Sequence, residues 1–111
     1  MTLLIPHRLL STANEREHWR VKAKRTQAQR QLVALYIGGK RPPALPVVVT
    51  LERIAPRALD SDNNVAAFKG VRDEIAKWLG LPDNHPSIRW EYGQRKGGVG
   101  EYAVSIVVGA A

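Results

Sequence analysis

The stretch Pro46-Val-Val-Val-Thr-Leu-Glu-Arg-Ile54 constrains the fold more than any other part of the chain. A run so rich in β-branched and apolar residues reads as a strand in the middle of a sheet. It leads through Ala55-Pro56-Arg57-Ala58-Leu59 into Asp60-Ser61-Asp62-Asn63, so a polar loop leaves a hydrophobic strand. From Asn63 to Leu79 the apolar residues Val65, Phe68, Val71, Ile75, Trp78 and Leu79 fall within one broad arc at about 100° per residue, which predicts an amphipathic helix. Asp62, Lys69 and Asp73 occupy a sector roughly 40° wide on the opposite side. Gly80 is a natural stop for that helix.

On the near side of the strand, Leu3-Leu4-Ile5 and Leu9-Leu10 predict a first strand. Ser11 or Asn14 then offers a cap for a long helix running to about Tyr36. Trp19, Ala23, Ala28, Leu32, Val33 and Leu35 recur along it at mostly helical intervals and are expected to face a core. Gly38-Gly39-Lys40-Arg41-Pro42-Pro43 breaks it. Beyond Gly80, Ile88, Trp90 and Tyr92 alternate with charged residues, and Tyr102, Val104, Ile106 and Val108 alternate with small or polar ones. The Gly-rich segment between them, carrying Arg95 and Lys96, predicts a β-hairpin. The expected fold is α+β: one domain over residues 1–111, in the order β-α-β-α-β-β, with a small mixed sheet and two helices.

Charge is distributed unevenly. The chain has 17 Lys and Arg against 10 Asp and Glu, a formal net charge of +7. Residues 1–40 hold 8 bases and 2 acids, whereas residues 60–83 hold 5 acids and 3 bases. A cationic body with a local acidic cluster suggests a bound polyanion around a metal site. Hydrophobic content of 44% and charged content of 24% are those of a globular domain. With no cysteine, disulfide frameworks and thiolate zinc sites are excluded. The opening Met-Thr-Leu-Leu-Ile-Pro run is too short for a signal peptide or a membrane span, so a cytoplasmic chain is expected.

Two aspartates separated by one residue at a strand-to-helix junction have two readings. In one, Asp60 or Asp62 serves as an N-cap with a turn residue beside it. In the other, both converge with Asp83, in the Gly-Leu-Pro-Asp-Asn turn beyond the helix, and share a divalent cation. Convergence requires the chain to fold back along a helix of 17 residues, about 25 Å. Like charges at 4 Å cost about 1 kcal/mol in water and about 4 at an effective dielectric of 20, which a cation would offset. Oxygen ligands favour Mg²⁺ or Mn²⁺ over zinc. His7 and His85 are isolated and are assigned no metal.

Taken together, Leu59-Asp60-Ser61-Asp62-Asn63, Ala67-Phe68-Lys69, Arg72-Asp73-Glu74-Ile75, Trp78-Leu79-Gly80, Asp83 and Trp90-Glu91-Tyr92 resemble the RusA family of Holliday junction resolvases, especially its short phage and prophage members. Ser11-Thr12-Ala13-Asn14-Glu15-Arg16-Glu17-His18-Trp19 is similar to the N-terminal signature of that subgroup, so the likeness covers most of the chain. It implies a homodimeric, Mg²⁺-dependent endonuclease that cuts four-way DNA junctions. The catalytic and metal-binding aspartates would stand at Asp60, Asp62 and Asp83, and the catalytic lysine at Lys69. The chain departs from the pattern in placing Lys69 seven residues after Asp62, two helical turns rather than one, and in Asn64, Pro82 and His85.

Contacts to branched DNA are expected from Asn14, Arg16, Arg20, Lys22, Lys24, Arg25 and Arg30, with Arg95 and Lys96 at the hairpin tip. Trp19 is assigned to the core, with stacking on an opened base as its other reading. Lys69 has a plainer reading as the i,i+4 partner of Asp73. A four-way junction needs two equivalent nicks, so a twofold dimer is expected. Two rivals stay open: a noncatalytic basic DNA-binding protein, and a flap or branched-DNA nuclease on the same scaffold.

Overall fold

A computed structural model describes residues 1–10 and 19–111. The chain order is β1 (Thr2–Ile5), α1 (Trp19–Ile37), β2 (Val47–Ala55), α2 (Ser61–Ala67), α3 (Lys69–Leu79), β3 (Ile88–Lys96) and β4 (Ala103–Ala110). The fold is a single α+β domain with a mixed four-stranded sheet in the order β1-β4-β2-β3. The strand predicted for the middle of the sheet, β2, lies there. It pairs parallel with β3 from Val47↔Ile88 to Ala55↔Lys96, and antiparallel with β4 from Val47↔Ala110 to Ile54↔Ala103.

This topology overturns the predicted hairpin. β3 and β4 are consecutive in sequence, yet β2 lies between them and takes both sets of hydrogen bonds. Alternation reports only that a segment is a strand with one buried face; it carries no information about neighbours. Arg95 and Lys96 are accordingly the last residues of β3, paired with Ile54 and Ala55. The parallel β2–β3 pair needs a crossover connection, which α2 and α3 supply.

Val47, Val49 and Leu51 of β2, Val104, Ile106 and Val108 of β4, and Leu3 and Ile5 of β1 are all buried, so these alternate residues form the sheet's inner face. Val33 and Ile37 of α1 join them in the core with Val71, Ile75 and Leu79 of α3. The predicted single helix from Asn63 to Leu79 is two helices that meet at Phe68, whose φ of −87° and ψ of 8° end α2 and open α3. The bend has a packing reason. Phe68 is fully buried with its ring centroid 5.8 Å from that of Tyr92, and burying such a ring stabilises by about 2 kcal/mol. Gly80 closes α3 in the left-handed conformation (φ 78°), as expected of a residue without Cβ.

Three further expectations change. β1 ends at Ile5, so Leu9-Leu10 is not strand, although Leu9 is buried in the core. The caps proposed at Ser11 and Asn14 lie outside the described residues. On α1 the buried residues are Gln29, Val33 and Ile37, while Trp19 and Leu35 are 67% and 74% exposed. The predicted apolar side is thus rotated, because α1 meets α3 at Gly70. A Cβ on Gly70 would come within 2.7 Å of the Thr26 carbonyl oxygen, so only a missing side chain admits this crossing. Gln29 therefore takes a place that hydrophobic periodicity gives to leucines. Among the described residues no helix is long and apolar enough to cross a membrane.

Candidate nucleic-acid interface and carboxylate site

The acidic loop follows the carboxyl end of β2 and is fixed to β3 on both sides. Before the acids, Leu59 N donates to Gln94 Oε1 at 2.7 Å, and Gln94 Nε2 donates back to the Leu59 carbonyl at 2.8 Å. After them, Asn64 is buried and its Nδ2 donates to the Gly93 carbonyl at 3.1 Å. Between these anchors stand Asp60 and Asp62, both exposed. Asp60 holds the N-cap position of α2, with its carbonyl accepting from Asn64 N at 2.8 Å, yet its side chain makes no cap hydrogen bond. The capping explanation of this carboxylate therefore lacks its defining bond. Asp62 lies in the first turn of α2, where a negative charge is stabilised by the exposed backbone N–H groups.

Asp83 has a different environment. Arg72 of α3 donates from Nε to Asp83 Oδ2 at 2.9 Å, from Nη2 to the Asp83 carbonyl at 3.3 Å and from Nη1 to Tyr92 Oη at 2.6 Å. The guanidinium also lies 4.7 Å from the Trp90 ring centroid, and Trp90 Nε1 donates to the Asp83 carbonyl at 2.7 Å. Partial burial alone would disfavour the cation, but the bonds to Tyr92 and Asp83 outweigh it and raise the Arg72 pKa. Among the described residues, no three acidic or histidine side chains gather as a metal-binding group, so Asp60, Asp62 and Asp83 do not form one cluster within the chain.

Lys69 and Asp83 both line an open groove of about 1050 Å³ between α1 and the α2–α3 pair. Lys69 Nζ lies 3.6 Å from Asp73 Oδ2, the i,i+4 partner its spacing allows. Lys22, Arg25 and Arg30 line the same groove from α1, and Arg30 pairs with Glu74 at 3.2 Å. The groove thus brings three of the expected DNA-contacting cations to the face that carries Lys69. Asp60 and Asp62 do not line it. Arg20 stacks over the Trp19 ring at 5.3 Å, and Lys24 is exposed. Asn14 and Arg16 lie outside the described residues. Arg95 pairs with Glu52 at 3.4 Å at the far end of β3, beside Lys96.

Sequence reasoning missed three organising side chains. Arg72 stood within the Arg72-Asp73-Glu74-Ile75 motif but was given no role of its own. Gln94 was hidden in a strand pattern, and Asn64 showed only as a polar residue where an apolar one was expected. No protein-family model matches the chain, and no curated protein matches it.

Proposed function

We propose that this chain is a Mg²⁺-dependent, structure-selective endodeoxyribonuclease that resolves four-way DNA junctions, acting as a twofold dimer. The observation that carries the reading is the Asp60–Asp62 pair. Two exposed carboxylates stand at a loop-to-helix junction anchored on both sides, Asp60 at the N-cap position without a capping side-chain bond and Asp62 in the first turn of α2. Ligands of parallel α/β units bind at the carboxyl ends of the strands, where this loop lies.

The donor set fits a hard cation, since Mg²⁺ typically takes one or two carboxylates and completes its shell with waters and substrate phosphate. Asp60 and Asp62 would hold it. When bound it supplies charge stabilisation at the phosphate oxygens and a more acidic water. The Leu59–Gln94 and Asn64–Gly93 bonds hold both carboxylates in place before substrate arrives. The cations of α1 draw the phosphate backbone into the groove. Lys69 lies on that groove and, leaving Asp73, neutralises the phosphate under attack. Asp83 is held by Arg72, and a phosphate that attracts Arg72 would release that carboxylate. Two symmetry-related strands are cut in a resolved junction, which calls for one site on each of two copies.

The test is an Mg²⁺ titration with a fixed four-way junction, beside Asp60→Asn. Cleavage should depend on the metal and vanish in the variant while junction binding persists; full cleavage by Asp60→Asn defeats the proposal. Fork and linear substrates run in parallel separate a resolvase from a flap or general branched-DNA nuclease. One observation favours the noncatalytic DNA-binding reading instead: Lys69 and Asp83 are both engaged in ion pairs within the chain. Binding without metal-dependent cleavage would establish it.

A further inference from the structure

At the carboxyl ends of β2 and β3, bordered by Gln94 of the Leu59–Gln94 clamp, lies a second recess. It has a volume of about 330 Å³ and is lined by Arg53, Arg57, Arg95 and Lys96 together with Ala58 and Gln94. Arg53 is the unusual member. Only 7% exposed, it pairs with no carboxylate among the described residues. Its Nε donates to the Leu9 carbonyl at 3.0 Å and its Nη1 to the Arg57 carbonyl at 2.7 Å, leaving Nη2 without a hydrogen bond among the described residues.

Buried charges in proteins are normally paired, and a guanidinium bonded only to neutral carbonyls recovers only part of its desolvation cost. Burial accordingly lowers the Arg53 pKa; Tyr102 opposes the shift, and the neighbouring Arg8 adds to it. Arg57 and Lys96 form no ion pair among the described residues either. The nearby acids are Glu52, 3.4 Å from Arg95, and Glu101, packed beside Gly97. The lining carries four cations and no acid, so the recess has the charge and the donors of an anion site.

We propose that this recess seats one phosphodiester of the bound DNA strand, with Arg53, Arg57 and Lys96 as its donors, and so sets where that strand lies relative to Asp60 and Asp62. The inference rests on the nuclease reading for the identity of the anion. Arginine suits the role because its planar fork matches phosphate oxygens. Contacts of this kind fix register without reading sequence. Ala58 and Gln94 line the recess, and Gln94 bonds Leu59, the residue before Asp60, so the seat adjoins the segment that leads into the acidic pair.

The experiment measures binding of the full chain to a labelled four-way junction in EDTA, across a salt series, for the wild type and Arg57→Gln/Lys96→Gln. Neither side chain supports the fold through a bond, so the double variant should melt with the wild type. A control, Lys40→Gln/Arg41→Gln, removes equal charge near the start of β2. The lining variant should bind about tenfold more weakly, as expected when a charge-assisted hydrogen bond to phosphate is removed, while the control changes little. Its log K against log salt slope should be shallower by about one, the signature of one fewer phosphate neutralised. In the wild type alone, the Arg53 Nε–Hε resonance should move on adding junction, and inorganic phosphate should move it more weakly.

Wild-type affinity and slope in the lining variant would overturn the proposal, as would equal losses in the lining and control variants. Failure of the wild type to bind DNA at low salt would overturn both this proposal and the nuclease reading. Recess-dependent binding without Mg²⁺-dependent cleavage would remove the nuclease reading and leave the phosphate seat standing.

Discussion

Leu59 and Gln94 exchange two hydrogen bonds, at 2.7 and 2.8 Å, across 35 residues of sequence. A single strand side chain thereby satisfies both backbone groups of the residue preceding Asp60. Gln94→Ala removes both bonds and leaves the loop held from Asn64 alone. With each neutral hydrogen bond contributing about 1 kcal/mol, we expect a loss of about 1–3 kcal/mol in urea unfolding. Metal-dependent cleavage should fall further than stability predicts, because carboxylates that wander bind Mg²⁺ poorly. A variant with full stability and full cleavage would show that the clamp positions nothing.

Arg72 joins Asp83, Tyr92 and Trp90 in one arrangement that lysine cannot copy. Arg72→Lys keeps the charge but loses the fork and the ring stacking. We expect a loss of about 2 kcal/mol, moderated by solvent because Asp83 is half exposed, read as a lower denaturation midpoint. An unchanged midpoint would mean that these three interactions contribute nothing net.

Gly70 and Gly93 make a paired test of packing. A Cβ at Gly70 meets the Thr26 carbonyl at 2.7 Å, whereas one at Gly93 meets nothing within 4 Å. Gly70→Ala should force α1 and α3 apart and cost about 1–3 kcal/mol. Gly93→Ala should be neutral or gain about 0.5 kcal/mol through the unfolded chain. Calorimetric melting of the two variants decides the matter; equal melting temperatures would refute the close crossing.

His7 gives the molecule a pH dependence of predictable sign. Its Nε2 is buried without a hydrogen bond among the described residues, and burial lowers its pKa below the ordinary imidazole value. As pH falls through about 6.5 the unfolded chain takes up the proton first, so stability is fully present above that value and declines below it until the folded-state pKa is reached. Urea midpoints at about pH 7.5 and about pH 5.5 should differ more for the wild type than for His7→Gln. Identical differences would place the dependence elsewhere.

How much of this was legible beforehand varied with the kind of signal. β2 was readable because a strand flanked on both sides is apolar along its length, and the helix after the acids was readable from its arc. Phe68 belonged to that arc whether or not the helix bent there, so the break was invisible. The pairing of β3 with β2 is a long-range choice that alternation along Ile88–Tyr92 cannot encode. At the site, Asp60 and Asp62 were visible because acids are scarce in a basic chain. Arg53 was not: it looked like one more cation on a strand, and only its burial without a carboxylate distinguishes it.

The position of β4 between β1 and β2 has a consequence for biosynthesis. β1 is made first but pairs only with Val104–Val107, and β2 completes its second edge with the same strand. The strand pairing of β1 therefore waits until Val107 has been made, and until then Leu3 and Ile5 have at most α1 to pack against. Closing a loop of about a hundred residues between β1 and β4 raises the entropic cost of that pairing and slows assembly.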